Sequence, residues 1–131
     1  MQIKDYYSLA ENTLSDYRLH HSKMVAKAAT ELARKYGADV IKAETAGILH
    51  DITKEMSLNN QLQLLRDNDI MLDSVTNANE QILHAVSGAA YAEFVLNIKD
   101  KDILDAIRYH TTARAKMSLL EKIVFIADFL P

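Results

Sequence analysis

Four of the five histidines in this chain fall on the apolar side of segments whose hydrophobic residues recur every three or four positions. A chain with that pattern is confined to helices that turn imidazoles toward their own core. That is a costly place for a polar ring unless a partner waits there. His21 stands one helical turn before Val25 and so heads the stripe Val25, Ala28, Ala29, Leu32, Ala33 and Tyr36. His50 closes a stripe of small residues, Ala43, Ala46 and Gly47, that lets another helix approach closely. His84 opens the stripe Gly88, Tyr91, Ala92 and Val95, and His110 closes Ile103, Ala106 and Ile107. His20 is rotated from His21 by about 100° and faces away.

The boundaries between these segments carry their own signals. Ile3, Tyr6, Tyr7, Ala10 and Leu14 predict a first helix, and Ser15 or Asp16 caps the next, which Gly37 ends. Asp39 caps a third helix, and Ser57 caps a short one carrying Leu58, Leu62 and Leu65. Residues 67–79 read as a polar loop holding at most one turn of helix, with Ile70, Met71 and Leu72 as its anchor. Ser118 and Glu121 have the form of a capping box, and the helix they start puts Leu120, Val124, Ala127 and Asp128 on one face. With only three glycines and one proline to break it, the chain is expected to be all-α. The expected architecture is a single domain over 1–131, a bundle of about six or seven helices with a metal site in its core.

A lone buried histidine is ordinarily a core residue whose nitrogens meet backbone carbonyls. A lone Asp128 would be a cap or an ion-pair partner, and a lone Asp51 the start of a turn. The set is harder to explain that way: four histidines with Asp51 and Asp128 converge from different helices. Cysteine is absent, so thiolate sites and disulfides are excluded. Histidine with carboxylate suits Mn²⁺, Fe²⁺, Zn²⁺ or Co²⁺, and open octahedral geometry favours iron or manganese over a closed structural zinc.

His21, the adjacent His50-Asp51 and Asp128 resemble the H…HD…D signature of the HD-domain phosphohydrolase superfamily. Four stretches are similar to one bacterial branch, the YqeK-type symmetrical diadenosine tetraphosphate hydrolases. They are Arg18-Leu19-His20-His21-Ser22, Ala46-Gly47-Ile48-Leu49-His50-Asp51, Ile107-Arg108-Tyr109-His110-Thr111-Thr112, and the run from Ser118 to Asp128. The likeness covers about 17–131. It implies an iron-dependent enzyme that cleaves diadenosine tetraphosphate into two ADP. By position it makes His21, His50, Asp51 and Asp128 metal ligands, and gives His84 and His110 either a second metal or the substrate phosphate. Members of the branch continue past the position of Asp128, so this chain is expected to be a fragment or a shortened relative without their C-terminal helices.

Phosphoanhydride cleavage requires an activated water, charge neutralisation and in-line positioning. Asp51 is the candidate shared ligand, because its carboxylate has two oxygens. His84 or His110 is the candidate donor to the leaving phosphate when not bound to a second ion. Arg18 and Lys54 lie one turn from His21 and His50, and Arg114 and Thr111 follow His110; these are the candidate phosphate contacts. Lys116 reads as solvated surface.

A net charge of -3 argues against nucleic acid as partner. No apolar run is long enough for a membrane span, and the first residues lack a signal-peptide pattern, so a cytoplasmic location is expected. The expected iron is divalent or mixed-valence, as one or two ions, with manganese, cobalt or zinc as alternatives. A homodimer is compatible with the sequence. The rival readings are an HD hydrolase of another nucleotide, such as a deoxynucleotide 5'-phosphatase, and a non-catalytic nucleotide-sensing module.

Overall fold

The computed structural model describes residues 1–73 and 79–130. Its described helices are α1 (Ile3–Thr13), α2 (Asp16–Tyr36), α3 (Val40–Leu49), α4 (Leu58–Asp67), α5 (Glu80–Ala90), α6 (Lys101–Arg108) and α7 (Leu119–Phe129), with no strand among them. The middle of the expected 67–79 loop, at 74–78, lies outside the described residues.

Side-chain caps start most of these helices, at the expected Ser15, Asp39, Ser57 and Ser118 and also at Asn79 and Asp100, which the sequence reading did not pick out. Ser15, Asp39, Ser57, Asn79, Asp100 and Ser118 each accept a hydrogen bond from a backbone N–H of the first turn. Gly37 ends α2 in the left-handed conformation, φ 80°, where a Cβ would be strained. Ser118 provides only half of the expected capping box. Its Oγ accepts from Glu121 N at 3.1 Å, but the Glu121 carboxylate turns to Arg114 instead.

Helix α3 is the centre of the fold and packs against α1, α2, α6 and α7. Ala43, Thr45, Ala46, Gly47, Ile48 and Leu49 are all buried, so α3 is covered on nearly every side. The tightest contact is at Gly47. A Cβ built there would stand 2.7 Å from Ala26 Cα on α2. The small-residue stripe thus sets the spacing between α2 and α3. A second, smaller core joins α4 to α5 through Leu65, Leu83, Val86 and Ala90.

Three expectations are corrected. The buried face of α2 is Ser22, Val25, Ala26, Ala29 and Ala33, and Tyr36 at the end of the predicted stripe is exposed. Ala26, between the predicted positions, is the residue that meets the narrow face of α3 at Gly47. Met71 is exposed, while Ile70 and Leu72 pack on the second core. Val95 was expected inside but is exposed, because α5 runs into a π-helical turn over Tyr91–Val95. There Leu96 N bonds to Tyr91 O, five residues back, and the wider turn brings Leu96 rather than Val95 to the core.

Candidate metal centre

The six residues picked out as ligands arrive from separate parts of the chain. His21 comes from α2, and His50 and Asp51 from the end of α3. His84 comes from α5, His110 from just past α6, and Asp128 from α7. His50 sits at the C-cap of α3 in helical conformation. Its Nδ1 lies 2.6 Å from Gly47 O, so a proton held there turns Nε2 inward as the nitrogen available to a cation. His110 is held the same way, with Nδ1 at 2.6 Å from Ile107 O. The polypeptide after His50 continues as tight turns, with Lys54 N bonded to Asp51 O and Met56 N to Thr53 O.

All six converge. Asp51 Oδ1 lies 3.1 Å from His84 Nε2 and 3.6 Å from His110 Nε2. Asp51 Oδ2 lies 3.3 Å from His50 Nε2 and 3.8 Å from His21 Nε2. Asp128 Oδ1 is 2.9 Å from His21 Nε2 and 3.2 Å from His50 Nε2. His84 and His110 bring their Nε2 atoms to 3.2 Å. Three overlapping triads follow, each with donor atoms within 4.8 Å of one another: His21–His50–Asp51, His50–His110–Asp128 and Asp51–His84–His110.

Several observations fit this cluster to a divalent cation. His50 Nε2 is fully buried and has no hydrogen-bond partner, although both carboxylates are close. Two donors about 2.1 Å from one ion and at right angles stand roughly 3 Å apart. The His84–His110 and His84–Asp51 separations, 3.2 and 3.1 Å, match that spacing. Without an ion, protons must do the neutralising. Burial opposes a charge on His50, but Asp51 and Asp128 outweigh it and push its pKa up to about 10. Burial likewise opposes the Asp51 carboxylate. The charge on His50, first, and the bonds from His110 and His84 prevail, and hold it far below the usual range. Asp128, also disfavoured as an anion by burial, is held down to about 2 by His50, His110 and His21. Burial drives His110 below its ordinary value. A divalent ion would replace this shared proton load.

The candidate phosphate contacts divide. Arg18 Nη1 meets Asp51 Oδ2 at 3.2 Å, at the mouth of the cluster. Lys54 lines a cleft of about 160 Å³ with Gln61, Gln81 and His84, its Nζ 3.4 Å from Gln81 Oε1. Thr111 keeps a buried hydroxyl with no partner and lines a larger cleft, about 520 Å³, with Gln81, His110, Phe125, Asp128 and Phe129. Arg114 does not join them. Its Nε and Nη2 bond Glu121 at 3.0 and 2.6 Å, Nη2 also reaches Asp105 at 3.3 Å, and the guanidinium lies 4.2 Å over the Tyr109 ring. Its proximity to His110 in sequence is spent on an ion pair with the buried Glu121. Lys116 is exposed.

Sequence reasoning missed a buried polar chain beside His84. Thr53 Oγ1 is 2.7 Å from Ser87 Oγ and 3.1 Å from His84 O. Ser87 Oγ donates to Gln61 Oε1 at 2.8 Å, and Gln61 Nε2 donates to Met56 O at 3.0 Å. Ser87 lies on the His84 stripe, three residues on, which was the available signal. Gln81, shared by both clefts, was also missed.

An all-helical core in which adjacent His50 and Asp51 meet His21 and Asp128 defines a helical domain built around a histidine–aspartate cluster able to hold a metal. Residues 18–130 match the model of the HD domain, and the chain belongs to the HD domain family. Relatives support the placement. The chain is 41% identical over 93% of its length to a protein of Halalkalibacterium halodurans named symmetrical bis(5'-nucleosyl)-tetraphosphatase, covering 65% of it. It is 39% identical to a Staphylococcus aureus protein of the same name, covering 99% of this chain and 66% of that one. The chain thus spans just under two thirds of the length of these two relatives. Among solved structures, a "predicted HD superfamily hydrolase involved in NAD metabolism" from Clostridium acetobutylicum superposes with a TM-score of 0.92 at 35% identity, over 98% of this chain and 68% of that one.

Proposed function

We propose that this domain hydrolyses dinucleoside tetraphosphates symmetrically, with diadenosine tetraphosphate as substrate and two ADP as products. Asp51 carries the reading: its two oxygens face different histidine sets, Oδ2 toward His21 and His50 and Oδ1 toward His84 and His110. That arrangement suits two ions sharing Asp51, the first completed by Asp128. The names of the relatives supply the substrate class. Nitrogen and oxygen donors without sulfur suit iron, with manganese, cobalt or zinc as substitutes.

When bound, the ions would draw charge from the attacked phosphate and acidify a water toward neutral pKa. The protein's own groups do the rest. Arg18 is close enough to Asp51 to trade its carboxylate for a phosphate oxygen. Thr111 has an uncommitted hydroxyl to donate beside His110 and Asp128. Lys54 lines a cleft with His84 and so places a cation beside the cluster, available to a phosphate oxygen. The Nδ1–H bonds of His50 and His110 keep both Nε2 lone pairs turned to the ions.

The test is chromatography of diadenosine tetraphosphate incubated with the chain and Fe²⁺ or Mn²⁺. ADP as sole product supports the reading. ATP with AMP would refute the symmetry. An untouched dinucleotide alongside phosphate release from a deoxynucleotide would move the domain to the monophosphatase class.

A further inference from the structure

We infer that Thr53 is a positioning residue that holds His84 in register with Asp51. The inference rests on the proposed role of His84 as a ligand of the centre. His50 and His110 are fixed through their own rings, each Nδ1 bonded to a backbone carbonyl at 2.6 Å. No such bond holds Nδ1 of His84 among the described residues, yet its Nε2 is 3.1 Å from Asp51 Oδ1 and 3.2 Å from His110 Nε2. The constraint comes through the backbone. The His84 carbonyl lies 3.1 Å from Thr53 Oγ1 and accepts from it. Thr53 follows Asp51 by two residues in the same tight turn, so one hydroxyl ties the segment bearing the carboxylate to the helix bearing the imidazole.

The remaining bonds give that hydroxyl a fixed direction. Thr53 and Ser87 are both fully buried, 2.7 Å apart; Ser87 passes its proton to Gln61 Oε1, which Met56 O anchors through the amide nitrogen, so the Thr53 proton is shared between Ser87 Oγ and His84 O and points into their common side. Gly88 completes the junction: its α-carbon face lies against His50 O and Thr53 Oγ1, at 3.5 and 3.6 Å from a Cβ built there. The turn after His50 and helix α5 are therefore tied together at Thr53 and Gly88, and between them they carry Asp51 and His84. Outer-shell partners of this kind change metal affinity by about 10- to 100-fold when removed.

Zinc is the probe, because it is diamagnetic and the ring ¹⁵N shifts of each histidine report its coordination. In the full chain, Zn²⁺ is expected to move the His84 Nε2 resonance. In Thr53→Val that response is lost or shifted to about 10-fold higher Zn²⁺, while His50 and His110 respond as before. Thr53→Ser, which keeps the hydroxyl, restores it. Circular dichroism of the metal-free proteins checks folding, and Thr53→Ala, which adds no bulk, repeats the comparison should Thr53→Val not fold. A His84 response in both hydroxyl-less variants equal to that of the wild type would overturn the inference and leave the proposed function standing. No His84 response in the wild type would overturn the ligand assignment itself, and the inference with it.

Discussion

Replacing Gly47 by alanine places a Cβ 2.7 Å from Ala26 Cα, 3.0 Å from Ala26 N and 3.3 Å from Val25 C. All three are backbone atoms of α2, so no side chain can swing aside. Ordinary contact begins near 3.4 Å, and the two helices must separate by about 0.7 Å to reach it. Overpacking of this kind costs roughly 1–3 kcal/mol, and the better helix propensity of alanine returns up to ~1 kcal/mol. The net loss, about 0–3 kcal/mol, is below the stability of an ordinary domain and leaves the protein folded. The site has less tolerance, since ligand distances are held within about 0.2 Å. Helix α2 carries His21, whose Nε2 is already 3.8 Å from Asp51 Oδ2, and Gly47 O is the anchor of His50. Gly47→Ala is therefore expected to lower metal content far more than stability. Elemental analysis of the purified protein and urea unfolding of its metal-free form measure the two separately. Gly88→Ala is the control. Its Cβ would meet Ile107 Cγ2 at 3.4 Å and His50 O at 3.5 Å, within ordinary contact, so stability should be unchanged or higher by ~0.5–1 kcal/mol with metal retained. Full metal content and unchanged stability in Gly47→Ala would refute the argument that this contact sets the spacing of the ligands.

Asp51→Ala removes the carboxylate that faces all four histidines; metal content and hydrolysis should both disappear, and hydrolysis surviving in metal-free Asp51→Ala would contradict the mechanism. Stripping the ions with a chelator should lower Tm by roughly 10 °C when the metal was present at ~100 times its Kd, and re-addition should restore it, as differential scanning calorimetry would show. Arg114→Ala strands the buried Glu121 carboxylate, so thermal stability should fall while KM for the dinucleotide holds; a raised KM with unchanged stability would return Arg114 to the phosphate site. Asp100 is held below its ordinary 3.8, first by its bond from Lys42 at 2.8 Å and then by the N–H groups of Ile103 and Asp102 that it caps. Because the folded pKa is depressed, its contribution is complete above 3.8 and lost as pH falls below it; the stability gap between wild type and Asp100→Ala should close there, and a gap independent of pH would count against it.

What was readable in the sequence was local. A cap needs only its own helix's first N–H groups, so Ser15, Asp39, Ser57 and Ser118 announced themselves. The inward histidines and Asp128 were readable for the same reason, since a helix face is fixed by spacing alone, and five such faces in one small bundle have little choice but to converge. Partner choice is a different matter. Arg114 and Glu121 look like a phosphate contact and a capping box when each is read within its own segment, yet the buried carboxylate demands the nearest guanidinium and each claims the other. Thr53, Ser87 and Gln61 are bonded across 26 to 34 residues of chain, and no period in the sequence encodes that. Val95 failed because one π turn changes the period itself. The pattern has a consequence for the site. Ligand identity is set by helix faces that form independently, whereas ligand spacing depends on contacts made only after packing, at Gly47 against Ala26 and at Thr53 against His84. Substitutions at those contacts should therefore leave a folded helical domain that holds its ions poorly.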